Sequence, residues 1–212
     1  MRVLIACESS GTVREAFRAR GHDAWSNDLL PADDGSHLHI QGDCRDAMRL
    51  GWDLIVMHPP CTALCVAGNR TYAPGGQMSP ARRAAIRWTL DLWALAKRCA
   101  PCVAMENPVG VLPLRPTQYI HPWQHGHGET KKTGLWLHNL PPLLPTDVVA
   151  GRVQRVHLMS PGPLRWKLRS KTYDGIALAM AQQWDEKPQM PVPQYKQWDT
   201  AQKGENLDLL LY

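Results

Sequence analysis

The chain is expected to fold as one α/β domain on a doubly wound parallel sheet, and three observations point there. Apolar runs of strand length recur at residues 2–7, 22–27, 53–58 and 102–106, with a weaker one at 37–42. Segments with helical periodicity or helical end signals alternate with them, the order that a parallel sheet with crossover helices requires. The runs at 53–58 and 102–106 are continuously apolar, as strands buried on both faces are, and each leads into a proline-bearing tip. A length of 212 residues suits a single domain with a sizeable core.

Each element has a local reason. Residues 2–7 form the first strand, and Glu8-Ser9-Ser10-Gly11 turns the chain into a helix over 12–20, where Val13, Ala16 and Phe17 recur at i, i+3 and i+4 and Gly21 follows as a stop. The second strand, 22–27, carries Asp28 at its tip, and the weaker run ends at Asp43. The run at 53–58 opens the stretch DLIVMHPPCT and delivers Cys61 just past Pro59-Pro60. After a Gly/Pro-rich loop a helix begins near Ser79-Pro80, with serine as cap, proline at the first helical position, and Ile86, Leu90 and Trp93 as the buried stripe. A fifth strand, 102–106, ends in Glu106-Asn107-Pro108. Beyond Pro108 the pattern loosens. Residues 133–140 read as a strand, 141–145 break it, and 173–184 read as a helix with Ile176, Ala177, Met180, Ala181 and Trp184 on one side. Pro188, Pro191 and Pro193 disfavour a helix beyond Lys187, so 186–212 is read as a proline-containing tail, extended or disordered.

Composition bounds the function less tightly. Six cysteines occur without a secretory signal, and no apolar stretch approaches the roughly 20 residues of a membrane span, so a reducing cytoplasm with free thiols is expected. Nine Trp against one Phe are read mainly as core and surface anchors. Lys and Arg exceed Asp and Glu by 24 to 19, and the excess is concentrated. Arg152, Arg155, Arg165, Lys167, Arg169 and Lys171 fall within 152–171 with no acidic residue among them. In an extended backbone the last four would share one face, with Trp166 and Leu168 on the other, giving either a phosphate-tracking strip or a solvated strand face.

The chemistry concentrates at two strand ends. Ligands of open α/β sheets bind at the carboxyl ends of the strands, so Cys61 and Glu106 would face one crevice as thiol nucleophile and carboxyl group. Thiolate is the reactive form, and Lys131, Lys132 and Arg70 are candidates for an electropositive surrounding. Cys65 is read as packing. Cys99-Ala-Pro-Cys102 has redox spacing but lies between a helix and a strand, the wrong context for a thioredoxin-type pair. His121, His125 and His127 with Glu129 lack matching cysteine spacing, so no metal site is expected.

These residues resemble the DNA (cytosine-5) methyltransferases, and more closely the short methylase-like proteins carried by bacteriophages. The resemblance rests on MHPPCT around Cys61, MENPVG around Glu106, the turn after the first strand and the acidic tips Asp28 and Asp43. It extends into HPWQHGHGETKKTGLWL and RSKTYDGIALAMAQQW, covering most of residues 1–185. It implies a Rossmann-like methyltransferase domain over 1–185, acting in the cytoplasm of a bacterium or a phage-infected host. Cys61 would add to carbon 6 of cytosine, and Glu106 would stabilise the charge that builds at ring nitrogen 3. It further implies S-adenosylmethionine as methyl donor, held by Cys7, Glu8, Ser9, Gly11 and Pro59, with Asp28 on the ribose hydroxyls and Asp43 at the adenine amino group.

The chain departs from that family in two places. Its turn lacks the family's phenylalanine and several of its glycines. Only about forty residues separate Lys131 from the late helix, which leaves a reduced target-recognition segment near 141–171. The implied partner is DNA, duplex or single-stranded, contacted by Lys131, Lys132, Arg165, Lys167, Arg169 and Lys171. So small a reader implies loose specificity, a single-stranded or nucleotide substrate, or a protein partner. The same chemistry on a free cytosine nucleotide, and a catalytically silent DNA-binding module, stay open at this stage.

Overall fold

The structure, a computed structural model, describes residues 1–186; the expectation for the tail falls, from residue 187 onward, outside the described residues. Seven strands appear in chain order as β1 (Arg2–Ala6), β2 (Asp23–Asp28), β3 (His39–Gln41), β4 (Leu54–Met57), β5 (Cys102–Pro108), β6 (Gln118–Ile120) and β7 (Thr133–His138). They form one sheet in the order β3-β2-β1-β4-β5-β7-β6. The strands β1 to β5 run parallel to one another, and β7 runs antiparallel between β5 and β6. The doubly wound, Rossmann-like class is therefore as expected, with one strand reversed.

Helices α1 (Thr12–Arg18), α2 (Cys44–Ala47), α3 (Asn69–Tyr72), α4 (Ser79–Cys99), α5 (Arg155–Leu158), α6 (Arg165–Ser170) and α7 (Asp174–Gln183) complete the order. Alternate residues of the central strands feed two cores. Val3, Ile5, Val56 and Ala104 pack with Phe17 of α1 and Met180 of α7, while Leu4, Ile55, Met57 and Met105 pack with Ala47 of α2 and Leu92 and Trp93 of α4. Burying each large aliphatic side chain contributes about 1.5–3 kcal/mol, so strands covered on both faces hold the sheet together. Buried indoles keep their N–H groups paired, as in Trp52 to the Ala47 carbonyl and Trp136 to that of Leu114.

Three expectations are corrected. Ser79 is the first residue of α4 and not its cap; its hydroxyl accepts from Arg83 instead, and Met78 precedes the helix without a side-chain cap. The buried stripe of α4 is Thr89, Leu92, Trp93 and Ala96, and Ile86 and Leu90 are only half-buried. The period was right and the phase was not, because the helix turns to bring Arg82 inward, 7% exposed, onto loop carbonyls. The strip at 165–171 is not extended: with no neighbouring strand to pair with, it winds into α6, closed by bonds such as Leu168 N–H to the Leu164 carbonyl, 3.0 Å. Residues two apart then lie about 200° apart around the axis, so Arg165, Lys167, Arg169 and Lys171 do not share a face. Strand β6 was not legible, since three residues flanked by prolines carry too little pattern.

Candidate active site at the ends of β4 and β5

Parallel register places the site. Met57 stands opposite Met105, so the next residues, His58 and Glu106, are neighbours on the face of the sheet that carries α1 and α7. His58 Nδ1 lies 3.2 Å from Glu106 Oε2, and a carboxylate only accepts, so the imidazole donates. His58 Nε2 is buried without a hydrogen-bond partner among the described residues. Asn107, 1% exposed, donates Nδ2–H to the Pro59 carbonyl at 2.8 Å and ties the two strand tips together.

The loop carrying Cys61 is pinned from two sides. Arg82 reaches across from α4 to the Ala63 carbonyl at 2.7 Å and to Asn69 Oδ1 at 2.9 Å. On the other side, Val66 N–H donates to the Val109 carbonyl at 3.1 Å and Val111 N–H to that of Leu64 at 2.9 Å. Gly110 sits so close that a β-carbon there would lie 2.3 Å from the Leu64 carbonyl oxygen. His58, Arg82 and Gly110 were not assigned roles from the sequence, although the single residue between the apolar run of β4 and its proline was a usable signal for His58.

Charge at the site is divided between the two reacting groups. Burial alone would raise the Glu106 carboxyl, but the His58 hydrogen bond, the Lys131 charge and the Thr133 hydroxyl more than offset it, and the group is held below its usual range. Cys61 goes the other way: its hydrogen bond with Cys65, burial and the Glu106 charge push its thiol up, and Lys131 only partly counters them. Cys65 is drawn down by the bond from Cys61 and by the amides of Gly68 and Ala67. Glu106 is thus ionised at rest and Cys61 protonated, with Cys65, expected as mere packing, in contact with it.

A stability test follows from the sign of the Glu106 shift. A carboxyl with a depressed folded pKa stabilises the fold above its unfolded value and loses that contribution as pH falls through the folded one. The drop in the urea midpoint on acidification below about pH 4.5 should therefore be shallower in Glu106→Gln than in the unmodified protein. Parallel curves would mean that the carboxylate is not held as described.

The second part of the crevice lies where β1 has β2 on one side and β4 on the other, the switch point of the sheet. Cys7 sits just past β1 with φ of 60°, and contact with Cys44, burial and the charges of Asp28 and Asp43 keep its thiol protonated. Glu8 is buried, and its carboxylate accepts from the amides of Val13 at 2.8 Å and Arg14 at 3.3 Å and from the Ser10 hydroxyl at 3.2 Å. It caps α1. Ser9 offers its carbonyl to Asp33 N–H. Gly11, at φ 71°, leaves room for the buried Arg14 guanidinium, which a β-carbon would meet at 2.4 Å; that guanidinium bonds to Asp34 and Ser26. Asp28 accepts from Leu30 N–H through Oδ1, and Oδ2 takes no hydrogen bond among the described residues. Asp43 caps α2 and is clamped by Arg45, which holds its carboxyl down to about 2.

The basic residues divide. Lys131 turns inward, its ammonium 3.2 Å from the Arg169 carbonyl and its charge acting on both Cys61 and Glu106. Lys132 turns outward over Tyr119. Lys167 pairs with Asp33 at 2.7 Å, Arg165 donates to the Met159 carbonyl at 2.8 Å, and the Arg169 charge lowers the Cys65 thiol, so these three side chains engage the body of the protein. Leu164, Trp166 and Leu168 are the exposed large apolar residues of this segment. Arg70 is exposed on α3, and Lys171 is exposed where α6 ends. Among the described residues no His/Cys/Asp/Glu group could hold a metal, and no helix is long and apolar enough to cross a membrane.

The chain is a doubly wound, Rossmann-like α/β domain whose strand ends gather a thiol, a carboxylate, a histidine and a lysine. No family profile matches the sequence, and no curated protein matches it. Among solved structures it is similar to the Dnmt2 methyltransferase of S. pombe, with 14% identity and a TM-score of 0.44 over 74% of this chain and 53% of that one. It is likewise similar to a mutant DNMT2 of Spodoptera frugiperda, with 15% identity and a TM-score of 0.40 over 73% of this chain and 54% of that one. The chain thus spans about half the length of each structure.

Proposed function

We propose that the protein transfers a methyl group from S-adenosylmethionine to carbon 5 of cytosine in DNA through a covalent adduct of Cys61. The observation that carries this reading is the meeting of two adjacent parallel strand ends, where the proline turn leading to Cys61 is tied to β5 by Asn107 Nδ2–H on the Pro59 carbonyl at 2.8 Å and Glu106 lies 3.2 Å from His58. Carbon 5 of cytosine is a poor nucleophile until something adds to carbon 6. As the Cys61 sulfur bonds to carbon 6, its proton must leave and ring nitrogen 3 must gain one. Glu106 would accept the first and supply the second, so the ring stays neutral while carbon 5 gains enamine character. Once the methyl group has joined carbon 5, water takes the carbon 5 proton, the Cys61–carbon 6 bond breaks and ring nitrogen 3 gives its proton back, which frees the thiol and restores the aromatic ring. His58 holds the carboxylate in place from one side, and Lys131 offsets its charge.

S-adenosylmethionine supplies an electrophilic methyl group when bound. The residues fit it. Asp28 Oδ2 can accept from ribose hydroxyls, and Asn27 Oδ1 and Asn107 Oδ1, buried at the ends of β2 and β5, have no donor among the described residues, and a bound ligand could provide one. The Cys7 turn is also neutral at its thiol.

Mass spectrometry of nucleosides from DNA incubated with the protein and labelled S-adenosylmethionine tests the whole reading. Labelled 5-methylcytosine is the expected product, and its absence with cytosine-containing duplex and single strands alike would end the proposal. The cofactor claim has its own check. Asp28→Ala should weaken S-adenosylmethionine binding by about 1–3 kcal/mol in calorimetry, the cost of losing a hydrogen-bonded charged partner.

A further inference from the structure

Just outside the crevice, β6 and the connection to β7 carry aromatic rings covered by cations. Tyr119, 45% exposed, lies under the Lys132 ammonium at 4.3 Å from its ring centroid. Trp123 lies under the Arg152 guanidinium at 3.9 Å and stacks on His121, with centroids 5.8 Å apart and planes at 24°. His121 joins the two pairs: the backbone from Tyr119 to His121 is extended, so these side chains, two residues apart, leave the same face, and the His121 ring stacks on Trp123. These five residues therefore form one contiguous patch.

The patch is unbalanced in charge. Among the described residues neither Lys132 nor Arg152 pairs with a carboxylate, and Arg152 is turned onto the carbonyls of Val149 and Gly151. The nearby acid Glu129 is already held by Arg155 and Tyr173. Cations parked on ring faces are held weakly and are free to exchange for a better anion. A phosphate would draw each of them off its ring and leave an aromatic face for a planar group. Alternating anions and planar rings describe a nucleic-acid strand. They do not describe a duplex, whose base faces are already stacked on one another and present only their edges.

We propose that Tyr119, Trp123, Lys132 and Arg152 form a stacking platform for single-stranded DNA. The platform rests on reading the neighbouring crevice as one that acts on a base. By register the platform lies at the β6 edge on the sheet face opposite Glu106, next in the chain to Lys131, which turns the other way, so a strand has to pass over that edge to reach the crevice and would do so with its bases unpaired. A chain with so small a reading segment then has no duplex to open.

The test uses a fluorescent oligodeoxythymidylate of 16 nucleotides, which contains no cytosine and so reads the platform independently of methyl transfer. The full chain should bind it at least about 10-fold more tightly than a duplex of the same length, and more tightly than an abasic strand. Tyr119→Ala and Trp123→Ala should each weaken binding by about 5- to 100-fold, and Tyr119→Phe and Trp123→Phe should restore most of it. Lys132→Ala with Arg152→Ala should flatten the slope of log affinity against log salt by about 1.4 units. Equal or tighter binding of duplex, or full binding by Tyr119→Ala, whose ring is exposed enough for the variant to fold, would overturn the platform. If labelled 5-methylcytosine still formed, the reaction would survive without it; if the strand bound as expected and no product formed, the platform would stand and the reaction would fall.

Discussion

Cys61→Ser is expected to abolish methyl transfer, lowering the rate by at least about 10⁴-fold, the scale of loss when a nucleophile is removed. A serine hydroxyl gives up its proton far less readily than a thiol and attacks carbon 6 far more weakly. The fold should be unaffected, because Cys61 is only half-buried and its loop is held by Arg82, Asn107 and the 109–111 segment, not by the sulfur. Calorimetry should show S-adenosylmethionine binding within about 0.5 kcal/mol of the unmodified protein, as for substitutions away from structural contacts. DNA containing 5-fluorocytosine should trap the unmodified protein at Cys61 and leave the variant free. Measurable turnover by Cys61→Ser would remove the covalent step from the mechanism.

Gly110→Ala should also impair the reaction strongly, though less than loss of the nucleophile, without touching a reacting atom. The new methyl group would meet the Leu64 carbonyl oxygen at 2.3 Å, and because that atom belongs to the backbone, the loop carrying Cys61 has to move. Overpacking of this kind costs about 1–3 kcal/mol, visible as a lower urea midpoint. Misplacing a nucleophile by about 1 Å costs on the order of 100-fold in rate. Alkylation of Cys61 by iodoacetamide, followed by peptide mapping, gives a readout that does not depend on substrate. An alkylation rate and a midpoint matching the unmodified protein would show that the loop is not held by this contact.

Legibility in the sequence followed the physics of each element. The central strands announce themselves because burial on both faces demands unbroken apolar runs, and 53–58 and 102–106 could hardly be anything else. Cys61 and Glu106 were legible for the same reason, since a residue just past such a run must sit at the sheet's carboxyl edge. What failed depended on neighbours far away in the chain. The period-two alternation at 165–171 suggested a strand, yet no strand edge is available to it, so helical bonds won. The phase of α4 was misjudged because Arg82, a residue expected outside, is drawn in by carbonyls of the cysteine loop. The reversal of β7 was invisible because strand direction is set by the 121–132 connection folding back on itself, and nothing local encodes that.

The carboxylate of Glu8 has a consequence for which small molecules the domain can admit. In many doubly wound proteins the amides at the start of the first helix meet a phosphate. Here the amides of Val13 and Arg14 are taken by the chain's own anion. A pyrophosphate approaching that turn would find a negative charge where it needs donors, so dinucleotides and nucleoside triphosphates are turned away by like-charge repulsion. Under the proposed reading, the sulfonium centre of the donor would be attracted by the same field, and the thioether left after transfer would lose that attraction. The one feature therefore disfavours phosphorylated ligands at this turn and is compatible with a cationic donor.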